Sequence, residues 1–153
     1  MKHPHLQSTE RSRKRSAINY TIVVGCGRLG SRLASRLSHA GHDVVVIDPQ
    51  QPAFKALTPD FSGFRLVGNA AEFEVLQQAK IERADSLLAV TGEDNLNLMV
   101  AQIAQVIFKV NTVLARVIDP AIEDVYQALG LATVSPTPLV ERAFLDKLEG
   151  LSQ

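Results

Sequence analysis

The chain has 153 residues, 46% of them hydrophobic, and a formal net charge of zero. This length suffices for one domain that buries roughly 70% of the surface its unfolded chain would expose, and the hydrophobic content is typical of a soluble globular protein. The neutral charge gives no reason to expect nucleic acid as a partner of the folded part. No apolar run approaches the ~20 residues that span a bilayer. The single cysteine excludes an intramolecular disulfide.

The first 17 residues differ in composition from the rest of the chain. They contain five basic residues and one acidic residue, a net charge of +4, so the remaining 136 residues carry −4. They are serine-rich and lack hydrophobic periodicity, which predicts a disordered basic tail at 1–17. The alternatives are an anionic-lipid contact or a nucleic-acid arm, and a metal pair at His3 and His5 lacks further ligands nearby.

From residue 18 onward, strand-like apolar segments alternate with segments of helical periodicity. The predicted strands span 18–24, 43–48, 63–67, 86–90, 112–117 and 132–134. The predicted helices span 28–40, 50–58, 71–79, 94–108, 120–130 and 137–148. This alternation predicts a single α/β domain over 18–150, with a doubly wound, Rossmann-like parallel sheet of six strands in the order 3-2-1-4-5-6.

Three glycines follow the first predicted strand, in the run Gly25-Cys26-Gly27-Arg28-Leu29-Gly30. Gly25 allows a tight turn, Gly27 lets a pyrophosphate approach the backbone, and Gly30 lets the helix pack close to the sheet. The free N–H groups at the start of the helix favour bound negative charge. The alternative is an α/β turn that holds no ligand.

Asp48 ends the second predicted strand, about 20 residues beyond the glycines, where a carboxylate can accept hydrogen bonds from a ribose diol. The strand, the glycines and the acid in this order predict an adenine-nucleotide site. They also predict poor binding of NADP, whose 2′-phosphate would face the carboxylate. A turn or capping residue before Pro49 is the alternative role for Asp48.

Cys26 lies within the glycine turn, where a helix N-terminus could lower the pKa of its thiol. The alternative is a small residue that fills the turn, and we favour it over redox sensing.

Polar residues also fall at the ends of the other predicted strands, in Gly68-Asn69, Thr91 and Arg116. Because the carboxyl ends of parallel strands meet at one edge, we expect these residues to lie beside the glycine turn and Asp48. Arg116 ends an apolar strand and needs an anion nearby, because an unpaired buried charge is costly. A ligand phosphate and a structural ion pair are both open for this role.

The last predicted helix carries an apolar stripe at helical spacing. Its members are Leu139, Val140, Ala143, Phe144 and Leu148. Such a stripe is either part of the core of the domain or a seam between two copies of the chain.

An ordered set of short motifs accompanies these features. In chain order it comprises 25–30 with Arg28 in fourth place, Val46-Ile47-Asp48, Gly68-Asn69-Ala70, Ala84-Asp85 before 87–91, Glu93-Asp94 with Asn97, Ala115-Arg116-Val117, Leu129-Gly130 and Ser135-Pro136. The set resembles the regulator-of-K⁺-conductance N-terminal domain, also called the TrkA-N or KTN domain, over about 18–148.

The resemblance implies a nucleotide site with a defined set of residues. They are Gly25, Cys26, Gly27, Arg28, Leu29, Gly30, Asp48, Gly68, Asn69, Ala70, Thr91, Asn97 and Arg116. In the family pattern, Arg28 reaches the phosphates, Asp48 holds the adenosine ribose, and Thr91 and Arg116 contact the rest of the cofactor. Asn69 replaces the usual Asp near the adenine, and an amide both donates and accepts hydrogen bonds whereas a carboxylate only accepts, which weakens the expected preference for adenine.

The resemblance also implies a function. It predicts a cytoplasmic sensor of NAD(H), or otherwise of ATP, ADP or AMP, without catalytic or metal-binding residues. Its partner would be a K⁺ channel, uptake system or efflux antiporter at the inner face of the membrane, contacted by a homodimer or a ring of dimers. The second ligand-binding domain that is frequent in the family does not follow the last predicted helix. We therefore interpret the chain as either a minimal subunit or an excised domain.

Two other functions stay open. A small NAD-dependent oxidoreductase would need a substrate domain and an acid or base beside the nicotinamide, whereas His39 and His42 fall at the wrong end of the predicted sheet. An interaction scaffold with a vestigial nucleotide site would bind no nucleotide.

Overall fold

The computed structural model describes residues 19–152. The predicted tail at 1–17, with His3 and His5, lies outside the described residues and stays a prediction.

Six parallel strands form one sheet in the order β3-β2-β1-β4-β5-β6, which confirms the predicted Rossmann-like α/β fold. The strands are β1 (Tyr20–Val24), β2 (Asp43–Asp48), β3 (Phe64–Val67), β4 (Ser86–Ala89), β5 (Thr112–Arg116) and β6 (Ala132–Val134). At the centre, Val24 of β1 lies beside Ile47 of β2 and Ala89 of β4. The carboxyl ends of the central strands therefore meet at one edge of the sheet.

The central strands are rich in β-branched residues because both of their faces are covered. On one face, Val23 and Val46 are buried in a cluster that includes Phe54. On the other face, Ile22 and Ile47 belong to the larger cluster that lies beneath the remaining helices. Burial on both sides fixes the strand ends and holds the loops that follow them in place.

The helices are α1 (Arg28–His39), α2 (Phe73–Gln78), α3 (Asp94–Gln102), α4 (Glu123–Ala128) and α5 (Pro136–Leu151). Gly41 and Gly130 lie just beyond α1 and α4 with φ values of +91° and +75°, as glycines that end helices do. None of the described helices has both the length and the apolar character that crossing a membrane requires.

The helix predicted at 50–58 is instead a 3₁₀ turn at Gln51–Ala56. Pro49 and Pro59 lie on either side of it, and Pro52 within it has no N–H to donate. Pro52 falls in the first turn, where a missing N–H is tolerated, but Pro59 disfavours helical angles at Thr58 and the Leu57 backbone is already extended, so the helical segment ends at Ala56.

The helix predicted at 94–108 changes its hydrogen bonding near its end. α3 is followed by a π-helical turn at Ile103–Ile107, in which the Phe108 N–H donates to the Ile103 carbonyl at 3.2 Å. The Phe108 ring packs on Phe73, with ring centroids 4.9 Å apart. The helix predicted at 120–130 likewise begins as a 3₁₀ turn at Pro120–Ile122 before α4.

The apolar stripe of α5 is exposed. No residue of this helix is buried within the described chain, and the Phe144 side chain is 67% exposed. The interpretation of the stripe as ordinary core is therefore wrong for the described chain. A seam between two copies stays a prediction.

Candidate functional site

The glycine turn connects β1 to α1 in the conformation that its spacing predicts. Gly25 has a φ of +102°, and its N–H donates to the Ile47 carbonyl at 2.8 Å. A Cβ at Gly30 would lie 1.8 Å from the Gly25 oxygen, so only glycine allows this approach of helix and turn. A Cβ at Gly27 would meet nothing within 4 Å, which leaves open space in front of the turn.

The start of α1 presents uncapped backbone amides to that space. Gly27 is the N-cap residue, no side chain caps the helix, and its first turn contains no acidic residue. The free N–H groups and the helix dipole therefore favour an anion at this position. The Arg28 side chain is exposed there, and Leu29 is half-buried against the core beneath the turn.

Asp48 links the end of β2 to the glycine turn. Its Oδ2 accepts a hydrogen bond from the Cys26 N–H at 2.9 Å, and its Oδ1 accepts one from the Gln50 N–H at 2.8 Å. The bond to Gln50 closes a turn around Pro49, so Asp48 does have the role of a turn residue that the sequence offered as the alternative to ribose binding. Each carboxylate oxygen keeps a free lone pair, and the half-buried side chain stays within reach of a ligand.

An open groove of about 710 Å³ adjoins the start of α1. Its lining residues are Cys26, Gly27, Arg28, Ser31, Arg32, Pro52, Ala53, Lys55 and Ala56. Three of them, Arg28, Arg32 and Lys55, are cationic, and none is acidic, so the groove favours a phosphate-bearing ligand. Arg32 and Lys55 were not among the residues predicted for the site, because no local spacing connects them to the glycine turn.

Cys26 does not have the lowered pKa that the sequence allows. Its side chain is 1% exposed, and burial raises the pKa of the thiol, with the neighbouring Asp48 carboxylate raising it further. The thiol donates weakly to the Ala53 carbonyl at 3.5 Å. Its role within the described residues is that of a small buried side chain beneath the turn.

The loop after β3 lies next to Asp48. The Gly68 N–H donates to the Asp48 carbonyl at 3.1 Å, which continues the strand pairing by one residue. Asn69 follows and is exposed, and its Oδ1 accepts a hydrogen bond from the Ala71 N–H at 2.9 Å. Ala70 is buried and supports the loop from below.

Asn97 connects the ends of β4 and β5 from beneath. It is 0% exposed. Its Oδ1 accepts hydrogen bonds from the Thr91 N–H at 2.9 Å and the Thr91 hydroxyl at 2.7 Å. Its Nδ2 donates to the Thr91 and Arg116 carbonyls, both at 3.0 Å. The structure therefore places Asn97 behind the site, as a support for the two residues in front of it.

Arg116 lies half-buried over the end of β4. One terminal nitrogen of its guanidinium donates to the Val90 and Thr91 carbonyls, at 2.7 and 2.9 Å. Its buried Nε has no hydrogen-bond partner, and no carboxylate within residues 19–152 forms a salt bridge with it. The structural ion pair considered for Arg116 is therefore absent from the described chain, and its charge is available to an anion.

The predicted site residues thus lie along one edge of the sheet, with Asn97 behind them. They occupy the carboxyl ends of β1, β2, β3, β4 and β5. A second cavity of about 590 Å³ lies near the amino ends of β1, β2 and β3, and it contains none of the predicted site residues. The described residues hold no group of three or more side chains suited to a metal ion.

Comparison with known proteins gives one consistent result. The TrkA-N domain model matches residues 21–136. The Trk system potassium uptake protein TrkA of Streptomyces coelicolor is 40% identical over 116 residues, which cover 76% of this chain and 52% of that protein. The TrkA homolog of Methanothermobacter thermautotrophicus is 28% identical over 129 residues, which cover 84% of this chain and 59% of that protein. The chain therefore spans about half the length of these curated relatives.

Solved structures share the fold at lower identity. The TrkA-N domain of the inner membrane protein ybaL from Escherichia coli has a TM-score of 0.76 at 23% identity, covering 86% of this chain and 97% of that one. The Shewanella denitrificans Kef CTD in its AMP-bound form has a TM-score of 0.73 at 22% identity, covering 88% and 83%. The GsuK channel bound to NAD has a TM-score of 0.75 at 22% identity, covering 88% and 24%.

Proposed function

The chain belongs to the TrkA-N domain family, and we propose that its residues 18–150 form an adenine-nucleotide-binding regulatory domain for K⁺ transport. One observation carries the proposal: the uncapped start of α1 lies beside the Asp48 carboxylate, which accepts a hydrogen bond from the Cys26 N–H at the carboxyl edge of the sheet. Phosphate and ribose are the two parts of a nucleotide that these groups recognise. The relatives named as Trk potassium uptake proteins support the transport role.

In this proposal the ligand lies along the edge of the sheet. Its phosphates meet the amides at Gly27 and the cations Arg28, Arg32 and Lys55, which surround the groove without a competing acid. Its ribose meets Asp48. In a dinucleotide, the far half extends toward Thr91 and Arg116, whose guanidinium forms no salt bridge within residues 19–152.

NAD(H) is the first candidate ligand, with ATP, ADP or AMP as alternatives. The fold neighbours solved with NAD and AMP support this range of ligands. All of these ligands share the adenosine moiety that Asp48 would hold. The proposed role is regulatory: binding favours one conformation of the domain, and a membrane K⁺ transporter or channel at the cytoplasmic face responds to that shift.

Calorimetric titration of the purified protein with NADH, NAD, ATP, ADP, AMP and NADPH tests the proposal. We expect micromolar binding of at least one adenosine ligand and weaker binding of NADPH. Asp48→Ala should weaken that binding at least about tenfold, because hydrogen bonds to a charged group are lost. Asp43→Ala is the matched control, since Asp43 is an exposed acid at the other end of the same strand.

Absence of binding by every nucleotide would overturn the nucleotide proposal and favour a scaffold with a vestigial site. Equal loss in Asp48→Ala and Asp43→Ala would assign the effect to strand stability rather than to ribose recognition. Substrate-dependent oxidation of NADH by the wild-type protein would instead favour the oxidoreductase.

We further propose that the exposed stripe of α5 joins two copies of the chain. Phe144→Asp should convert a dimer to a monomer, because it places a charge in the centre of the apolar stripe. Arg142→Asp places the same carboxylate on the opposite face of the helix and should leave the dimer intact. Sedimentation velocity measures both outcomes, and a monomeric wild-type protein would contradict the proposal.

A further inference from the structure

We propose that Asn69 makes this site accept 6-oxopurine nucleotides, such as GDP, alongside adenine nucleotides. The inference rests on the proposed nucleotide site and names which bases that site takes. It starts from the position of the loop after β3 relative to the phosphate and ribose positions.

The order of the strands places the base at Asn69. A nucleotide with its phosphates at the start of α1 and its ribose at Asp48 runs from the end of β1 to the end of β2. The next strand in that direction is β3, and the Gly68 N–H bonds directly to the Asp48 carbonyl. The base therefore arrives at the exposed Asn69 that follows.

The end of β3 offers space and apolar surface for a ring. A groove of about 500 Å³ lies between the 51–56 turn and this strand end, and Pro52 and Val67 are among its lining residues. Val67 is more than half exposed. A purine ring lying against these side chains would direct its polar edge toward Asn69, two residues beyond Val67.

The amide of Asn69 has a fixed orientation. Its Oδ1 accepts a hydrogen bond from the Ala71 N–H at 2.9 Å, a bond that the Nδ2 group cannot make because it has only hydrogens to offer. No acceptor within the described residues takes the Nδ2 hydrogens. Asn69 can therefore offer a base the two Nδ2 hydrogens as donors and the one remaining lone pair of Oδ1 as an acceptor.

Adenine and guanine differ in the group that this donor would meet. Adenine carries an amino donor at position 6, whereas guanine and hypoxanthine carry a carbonyl acceptor there. The Nδ2 hydrogens of Asn69 pair with a carbonyl at position 6, and the remaining Oδ1 lone pair accepts from an adenine amino group while the other serves the Ala71 N–H. Asn69 therefore has a partner for either base, whereas a carboxylate here could pair at position 6 only with the amino group of adenine.

Calorimetric titration of wild-type protein and Asn69→Asp with ADP, GDP and IDP tests the inference. We expect the Kd values of wild-type protein for ADP and GDP to lie within about tenfold of each other. IDP lacks the 2-amino group of guanine and should bind like GDP if the position-6 carbonyl is the recognised group. Asn69→Asp keeps an acceptor for the Ala71 N–H but replaces the donors, and should raise the preference for ADP over GDP about tenfold or more.

Asn95→Asp is the matched control, because Asn95 is exposed on α3; it should leave the ratio of Kd values unchanged. ADP binding with GDP at least about a hundredfold weaker in wild-type protein would overturn this inference and leave the proposed nucleotide site standing. An unchanged ratio of the Kd values for ADP and GDP in Asn69→Asp would also overturn this inference and leave the proposed nucleotide site standing. Failure of all three nucleotides to bind would overturn the inference together with the proposed nucleotide site.

Discussion

Gly30→Ala is expected to reduce the free energy of unfolding by about 3 kcal/mol or more. The added Cβ would lie 1.8 Å from the Gly25 carbonyl oxygen and 2.8 Å from its carbon. Both atoms belong to the backbone of the turn, so no side-chain rotation relieves the overlap. Either α1 moves away from the sheet or the turn opens, and both changes also disrupt the phosphate position. Urea denaturation followed by circular dichroism measures the loss.

Gly27→Ala separates the overlap from the general effect of removing a glycine from this loop. Gly27 has a φ of −77°, which alanine adopts readily, and its added Cβ meets nothing within 4 Å. We expect a loss of stability below about 1 kcal/mol, because alanine is a poorer N-cap than glycine. Nucleotide affinity should still fall, since the Cβ occupies the space in front of the turn. Equal destabilisation by the two variants would contradict the overlap as the cause.

The strands were predictable because their apolar runs are bounded by residues that end them. β2 is the clearest case: Val44-Val45-Val46-Ile47 lies between two aspartates, and the predicted span 43–48 is the observed strand. The exact hydrogen bonding of the helices was not predictable. The π-helical turn at Ile103–Ile107 accompanies the packing of Phe108 on Phe73, a contact between residues 35 positions apart that local periodicity does not register.

The geometry of the candidate site was predictable where one short segment carries it. The glycine turn and Asp48 followed from spacing because each glycine has its own steric requirement. The cationic groove was not predictable, because Arg32 and Lys55 come from separate segments that only the fold brings together. The exposure of α5 was also beyond the sequence, since an apolar stripe has the same periodicity whether it faces a core or a second chain.

Substitution of Asn97, which is buried behind the candidate site, is expected to have the second large effect on the free energy of unfolding. Asn97→Leu should reduce the free energy of unfolding by about 3–5 kcal/mol, because the Thr91 N–H and hydroxyl and the Arg116 carbonyl lose a buried partner. Leucine has the same branching and number of heavy atoms, with a somewhat larger volume, but supplies no donor or acceptor. The loss should also release Thr91 and Arg116 from their positions, so nucleotide affinity is expected to fall even where the variant remains folded.

Asn95→Leu makes the same substitution two residues earlier, at an exposed position on α3. We expect its free energy of unfolding to change by less than about 0.5 kcal/mol, as at surface sites without specific contacts. Urea denaturation of both variants in parallel compares the two positions directly. A wild-type unfolding midpoint for Asn97→Leu would mean that the ends of β4 and β5 hold their geometry without the amide. The position of Arg116 would then be set by its own bonds to the Val90 and Thr91 carbonyls.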